Sequence, residues 1–152
     1  MRILKVFLWV IGIASALVLV MGGVYYLQIS RFDSSLVSSG EERGYLLHIP
    51  AGYDGSRPVP LVISIHGFAG WPENQRQISQ WNRVADEAGF LVAYPRGTGF
   101  PLRWRAGDQP GAEVDIQFLA DLIDTLEARY NIDPRRIFVN GISNGGGMSF
   151  AL

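Results

Sequence analysis

The sequence predicts an α/β domain, a mostly parallel sheet with helices on both faces, preceded by one transmembrane helix. Three short runs, residues 61–65, 90–94 and 137–141, are nearly continuous in apolar and β-branched residues. Runs of this kind are typical of strands covered on both faces of a parallel sheet. Segments with helical spacing separate them, and alternation of strands with helices favours parallel pairing.

Composition narrows the class of protein before any motif is considered. The chain has 152 residues, 48% of them hydrophobic, with a formal charge of −1 and no cysteine. That length suits one domain with a substantial core, and the near-neutral balance gives no electrostatic reason to expect nucleic acid. Without cysteine there is no disulfide, thiolate metal site or cysteine nucleophile. We expect no metal and no cofactor.

The N-terminal segment is predicted to be a membrane anchor. Arg2 and Lys5 precede an uncharged, apolar run over residues 6–30, which as a helix would be about 37 Å long, enough to cross a hydrocarbon core. The only A-x-A pattern, residues 14–16, lies inside this run, so an uncleaved signal anchor is favoured over a cleaved signal peptide. The positive charges place the N-terminus in the cytoplasm and the domain outside, or secreted if cleavage occurs.

The chain after the anchor divides into a linker over residues 31–42, with at most a short edge strand, and a domain over residues 43–152. Residues 44–49 alternate as a strand, on which His48 is expected to be a surface side chain. A Gly- and Pro-rich loop over 51–60 follows, then the strand at 61–65, which ends in the turn His66-Gly67.

Two helices are predicted between the remaining strands. The apolar residues that define the first are Ile78, Trp81, Ala85 and Ala88, and Gly89 ends it. The second has one apolar face, formed by Ile116, Leu119, Ile123, Leu126 and Tyr130. Asp115 is interpreted as a favourable charge at the positive end of that helix. The long loop before it, residues 96–112, contains Trp104 and has the length of a lid or binding loop.

The pattern Gly141-x-Ser143-x-Gly145 follows the last strand and precedes a helix start, which is the context of a nucleophile elbow. A turn sharp enough to lift a serine hydroxyl from the sheet brings the residues two before and two after it together, so both must be glycine. A dinucleotide fingerprint would need glycine at Ser143, and a P-loop would need lysine at Gly147. A tight turn with an incidental serine is the remaining alternative.

With the elbow and the His66-Gly67 turn, the chain resembles the α/β-hydrolase superfamily, and within it the secreted polyhydroxybutyrate depolymerase and feruloyl esterase group. The phrases that carry the resemblance are Tyr45-Leu-Leu-His-Ile-Pro50, Pro60-Leu-Val-Ile-Ser-Ile-His-Gly67, Ala85-Asp-Glu-Ala-Gly-Phe90, Tyr94-Pro95, Val114-Asp115, Asn131-Ile-Asp-Pro-Arg-Arg136 and Gly141-Ile-Ser-Asn-Gly-Gly146. Together they cover most of residues 43–150.

The resemblance implies a serine carboxylester hydrolase acting through an acyl-enzyme on Ser143. The oxyanion hole would be formed by the backbone N–H groups of Asn144 and Phe68, with Gly67 allowing close backbone approach. His66 would be structural, and Trp104 would either line the substrate pocket or anchor its loop. The expected partner is a small-molecule or polymeric ester.

The fold supplies its triad in the order Ser, then Asp or Glu, then His, and no acidic residue or histidine follows Ser143. We therefore expect this sequence to be the N-terminal part of a longer hydrolase, truncated after the elbow and inactive alone, with one apolar edge strand exposed. Two alternatives remain open. One is a serine peptidase of the same fold, and the other is a non-catalytic, membrane-tethered binding module.

Overall fold

The computed structural model describes residues 2–152, which form two units, the first ending at Ser30 and the second spanning residues 31–152. The described part of the first unit is helix α1, Arg2–Ile29, followed by a turn at Ser30. Its 28 residues span about 42 Å at 1.5 Å per residue. By length and composition, this helix is able to cross a membrane. The predicted apolar helix is thus present, and it begins four residues earlier than the uncharged run.

The second unit contains a five-stranded sheet and four helices. Its strands are β1 (Ser34–Ser38), β2 (Glu41–His48), β3 (Val59–Ile65), β4 (Leu91–Pro95) and β5 (Ile132–Gly141). Its helices are α2 (Pro72–Ser79), α3 (Trp81–Ala88), α4 (Ala112–Arg129) and α5 (Asn144–Ser149).

The strand order is β1-β2-β4-β3-β5, which places β3 between the other two parallel strands. β1 and β2 form a hairpin, and β2 pairs antiparallel with β4. The hairpin turn is Ser39-Gly40, with φ of 50° and 80°. Positive φ at both residues of a two-residue turn matches the right-handed twist of the strands that the turn joins. The predicted α/β sheet is confirmed. β1 lies within residues 31–42, where we expected a linker with at most a short strand.

Side chains alternate across the sheet, so each face has its own core and its own helices. The first core joins Leu61, Ile63 and Ile65 of β3 to Phe118, Leu119, Leu122 and Leu126 of α4 and Met148 of α5. The second joins Val62, Val92 and Tyr94 to Ala85 and the partly buried Trp81 and Val84 of α3. The prediction of helices on both faces is therefore correct.

Two details of the helices differ from the sequence prediction. The first predicted helix is two helices, because Gln80 adopts φ 57° between α2 and α3. The buried face of α4 is rotated from the predicted one: Asp115, Phe118 and Leu122 are fully buried, whereas Ile116 is only half-buried.

Strand β5 forms one edge of the sheet, since β3 is its only partner among the described residues. The side chain of Phe138 on this strand is 55% exposed. It borders an apolar cleft of about 420 Å³ that also includes Val62, Trp81 and Phe90. The apolar edge strand expected from the sequence is thus present.

Candidate active site

Ser143 occupies a sharp corner between the last residue of β5, Gly141, and the first residue of α5, Asn144. Its backbone has φ 52° and ψ −117°, a region that non-glycine residues rarely adopt. Such strain persists only where the surrounding structure enforces it, and it concentrates at functional sites. The serine is solvent-exposed, so its hydroxyl is available to a substrate.

Steric contacts explain the glycines around this serine. A Cβ built on Gly141 would overlap the backbone of Gly145, and one built on Gly145 would overlap the carbonyl oxygens of Ile65 and His66. A Cβ on Gly67 would lie 3.2 Å from the carbonyl oxygen of Ile142 and 3.7 Å from Ser143 Cβ. The turn after β3 and the corner after β5 are therefore in direct contact, which the parallel pairing of these strands produces.

Two backbone amides near the corner have no acceptor among the residues that the structure describes. Asn144 is the first residue of α5, so its N–H has no partner within the helix. In the turn after β3, Ala69 N–H donates to Leu102 and Gly70 N–H to Gly67, whereas the N–H of Phe68 has no acceptor among the described hydrogen bonds. These are the two amides predicted for an oxyanion hole, and that role stays a prediction.

His66 is completely buried and both of its ring nitrogens are engaged by backbone groups. Nε2 accepts a hydrogen bond of 3.0 Å from the N–H of Gly97, so the proton lies on Nδ1, which donates to the carbonyl oxygen of Gly67 at 2.8 Å. Desolvation by burial lowers the pKa of His66 to about 4, although the bond to Gly67 opposes this shift. A neutral ring with both nitrogens occupied holds the turn in place and is not available as a base for Ser143.

His48 lies at the other end of the sheet. It is paired with Val92, near the beginning of β4, whereas Ser143 follows the carboxyl end of β5. Its Nε2 lies 2.9 Å from Asp86 Oδ1 on α3. The surface role expected for His48 agrees with this position.

The side chain of Asn144 makes a pair of contacts that the sequence did not reveal. Its Nδ2 donates to the carbonyl oxygen of Trp104 at 2.9 Å, and its Oδ1 accepts from the N–H of Trp104 at 2.8 Å. The indole of Trp104 is completely buried, 5.3 Å from the ring of His66 and stacked 6.3 Å from Phe118. Of the two roles left open for Trp104, the structure favours the loop anchor, because a side chain without accessible surface lines no pocket.

Asp115 is fully buried and binds two arginines. Its Oδ1 accepts from Arg43 Nη2 at 2.9 Å, and its Oδ2 accepts from both the backbone N–H and the Nε of Arg105 at 3.0 Å. Burial lowers the pKa of Arg43, an effect that Asp115 opposes, and the bond to Asp115 raises the pKa of Arg105. Asp115 lies in the first turn of α4, as expected from the sequence, and it also links α4, β2 and the loop.

This burial of Asp115 was detectable from helical spacing, because Asp115 precedes Leu119 by four residues and Leu122 by seven. Among residues 2–152 there is no group of three or more histidine, aspartate or glutamate side chains arranged to hold a metal ion. The site consists of backbone amides, glycines and one exposed hydroxyl.

The α/β sheet and the strained serine between two obligatory glycines define a chain of the α/β-hydrolase class. The Esterase family model matches residues 37–152, and the chain belongs to that family. The predicted resemblance is thereby confirmed.

Three relatives illustrate the similarity. Over 100 residues the chain is 35% identical to the bifunctional acetylxylan esterase/xylanase XynS20E of Neocallimastix patriciarum, covering 66% of this chain and 14% of the relative. It is 31% identical to feruloyl esterase B of Piromyces equi, and this alignment covers 70% of this chain and 20% of the relative. It is 26% identical to poly(3-hydroxyalkanoate) depolymerase C of Paucimonas lemoignei, and this alignment covers 67% of this chain and 25% of the relative. The aligned region thus spans a quarter or less of the length of these relatives.

Solved structures share the fold. The acetyl xylan esterase of Aspergillus awamori superposes with a TM-score of 0.60 at 20% identity, covering 68% of this chain and 38% of that one. This similarity supports the α/β-hydrolase architecture independently of the sequence matches.

Proposed function

We propose that this chain supplies the nucleophile and oxyanion hole of a serine carboxylester hydrolase. The observation that carries the proposal is the exposed, strained Ser143 beside the amides of Asn144 and Phe68, which have no acceptor among residues 2–152. Ser143 Oγ attacks the ester carbonyl carbon while its proton passes to a base, and the two amides stabilise the oxyanion. When this intermediate collapses, the base returns the proton to the leaving oxygen, the neutral alcohol departs and an acyl-enzyme remains, which water hydrolyses to the acid and free Ser143.

Neither histidine among the described residues is placed to act as the base for Ser143. His66 is neutral with both nitrogens bound, and His48 lies at the opposite end of the sheet. Without a base the serine is a weak nucleophile, so the 152-residue chain alone should be inactive or nearly so. Acetyl, feruloyl and hydroxyalkanoate esters are the candidate substrates, since the relatives are named for these groups.

The domain is proposed to lie outside the cytoplasmic membrane, tethered by α1 or released after cleavage. The length and apolar composition of α1 support this placement, as do Arg2 and Lys5 at its start. Carbonate extraction of membranes, with a mass measurement of the mature N-terminus, distinguishes the two forms. A full-length chain in the soluble fraction would contradict both.

The test of function is p-nitrophenyl acetate turnover by the complete protein that carries this sequence. Ser143→Ala should abolish turnover and labelling by a fluorophosphonate probe. Ser56→Ala is the matched control, because Ser56 is exposed and bonds only Asp54 in a distant loop, so it should retain full turnover. Unchanged turnover in Ser143→Ala would reject the nucleophile.

A further inference from the structure

The carboxamide of Asn144 holds the main chain of a residue forty positions away. It donates to the carbonyl oxygen of Trp104 and accepts from the N–H of the same residue, at 2.9 and 2.8 Å. Two hydrogen bonds to one residue fix both the position and the rotation of the amide group, as a single bond would not. Asn144 is also the residue that directly follows Ser143 and begins α5.

Trp104 is a fixed point to which Asn144 can be tied. Its indole is completely buried between the rings of His66 and Phe118. The next residue, Arg105, donates its backbone N–H to the buried carboxylate of Asp115. The loop segment is therefore held by packing on one side and by a charge-assisted hydrogen bond on the other.

Helix α5 needs such support. It has six residues, three of which are the consecutive glycines Gly145, Gly146 and Gly147, and it has no side-chain hydrogen bond at its N-cap. Glycine disfavours the helix relative to alanine because it has more backbone freedom to lose, so the first turn is intrinsically weak. The Asn144 side chain ties this turn to the core.

We propose that Asn144 is a positioning residue for the oxyanion hole: by clamping the Trp104 main chain, its side chain fixes the direction of its own backbone N–H. The proposal rests on the hydrolase function proposed above. It assigns the carboxamide a role distinct from that of the backbone amide, and it makes the loop at residues 96–111 a structural part of the site.

Asn144→Ala removes both bonds while keeping the backbone amide. Because a misplacement of about 1 Å can cost roughly 100-fold in rate, we expect kcat to fall about 10- to 100-fold with KM unchanged. Hydrogen exchange followed by mass spectrometry should show faster exchange at the N–H of Trp104. Asn144→Asp retains an acceptor for that N–H but no donor for the carbonyl, so exchange should stay slow while kcat still falls.

The matched control is Asn131→Ala. The Asn131 side chain also bonds one backbone carbonyl, that of Gly55 at 2.9 Å, but in an exposed loop at the other end of β5. This variant should leave both kcat and exchange at Trp104 unchanged. The measurements use the complete protein, and if Asn144→Ala fails to fold, Asn144→Asp provides the kinetic test.

Faster exchange at Trp104 together with lower kcat and unchanged KM in Asn144→Ala supports the proposal. In Asn144→Ala, faster exchange with unchanged kcat, or lower kcat with unchanged exchange, overturns it, and so does an unchanged kcat in Asn144→Asp. Equal losses in Asn131→Ala also overturn it, because the effect would then be global. Turnover that survives Ser143→Ala rejects the hydrolase function instead, a result that is separate from the exchange comparison.

Discussion

Burial of His66 makes the stability of the domain depend on pH. The pKa of this imidazole is about 4 in the folded chain, against the ordinary 6.5, chiefly because the ring is desolvated. Between these values the unfolded chain holds a proton on His66 that the folded chain lacks. The free energy of unfolding therefore decreases as the pH falls from about 6.5 to about 4. The stability that comes from keeping His66 neutral is fully present above pH 6.5.

The magnitude follows from the distance between the two pKa values. At about 1.4 kcal/mol for each pH unit, their separation corresponds to about 3 kcal/mol between pH 7.5 and pH 4. Since native domains have only about 5–15 kcal/mol of stability, this loss is large. Carboxylates titrate in the lower part of the same window, so the contribution of His66 has to be isolated by comparison with a variant.

The assay is denaturant unfolding of the detergent-solubilised chain, followed by tryptophan fluorescence at several pH values. His66→Gln removes the titrating ring while offering an oxygen to the N–H of Gly97. The stability difference between wild type and this variant should shrink by about 3 kcal/mol from pH 7.5 to pH 4. The control variant His48→Gln retains His66, so its free energy of unfolding should still fall by about 3 kcal/mol through His66 between pH 7.5 and pH 4. The reasoning would be refuted if the stability difference between wild type and His66→Gln did not depend on pH. It would also be refuted if NMR of the folded chain showed the His66 imidazole titrating near 6.5.

Three further predictions concern the elbow, the buried carboxylate and the edge strand. Gly145→Ala should lower the free energy of unfolding by about 1–3 kcal/mol or more through steric overlap, whereas Gly147→Ala, with open space around it, should be neutral or stabilising by up to about 1 kcal/mol; equal effects in denaturant melts would contradict the steric argument. Asp115→Asn should cost about 3–5 kcal/mol because it leaves a buried guanidinium without its counter-charge, whereas Asp124→Asn on the exposed side of α4 should change little. Phe138→Lys should reduce self-association in light scattering, because it places a charge on the apolar edge of β5, and unchanged association would exclude that edge as the contact.

The parts of the fold that local chemistry determines were predictable from the sequence. The central strands β3 and β4 were recognisable from their apolar runs, and the corner at Ser143 from the two glycines that its geometry requires. The turn after β3 was recognisable for the same reason, since Gly67 lies against that corner. In each case the signal is an apolar run or a glycine within a short stretch of sequence, even where the segment that the glycine contacts is distant.

The parts that depend on contacts between distant segments were not predictable. The break between α2 and α3 occurs at Gln80, which adopts positive φ without being glycine, so the sequence contains no signal for it. The clamp between Asn144 and Trp104 and the bond from Asp115 to Arg43 join residues 40 and 72 positions apart. An asparagine or aspartate read alone gives no indication of its partner.

The loop over residues 96–111 shows how such distant contacts build a site. It was expected to be a lid or binding loop, yet three of its backbone N–H groups donate to side chains of the surrounding elements: Gly97 to His66, Trp104 to Asn144, and Arg105 to Asp115. In all three cases the loop contributes backbone N–H groups and the fixed elements contribute side chains. Substitutions at exposed loop positions such as Asp108 should therefore disturb these three bonds less than substitutions of His66, Asn144 or Asp115, because they leave all three N–H groups in place.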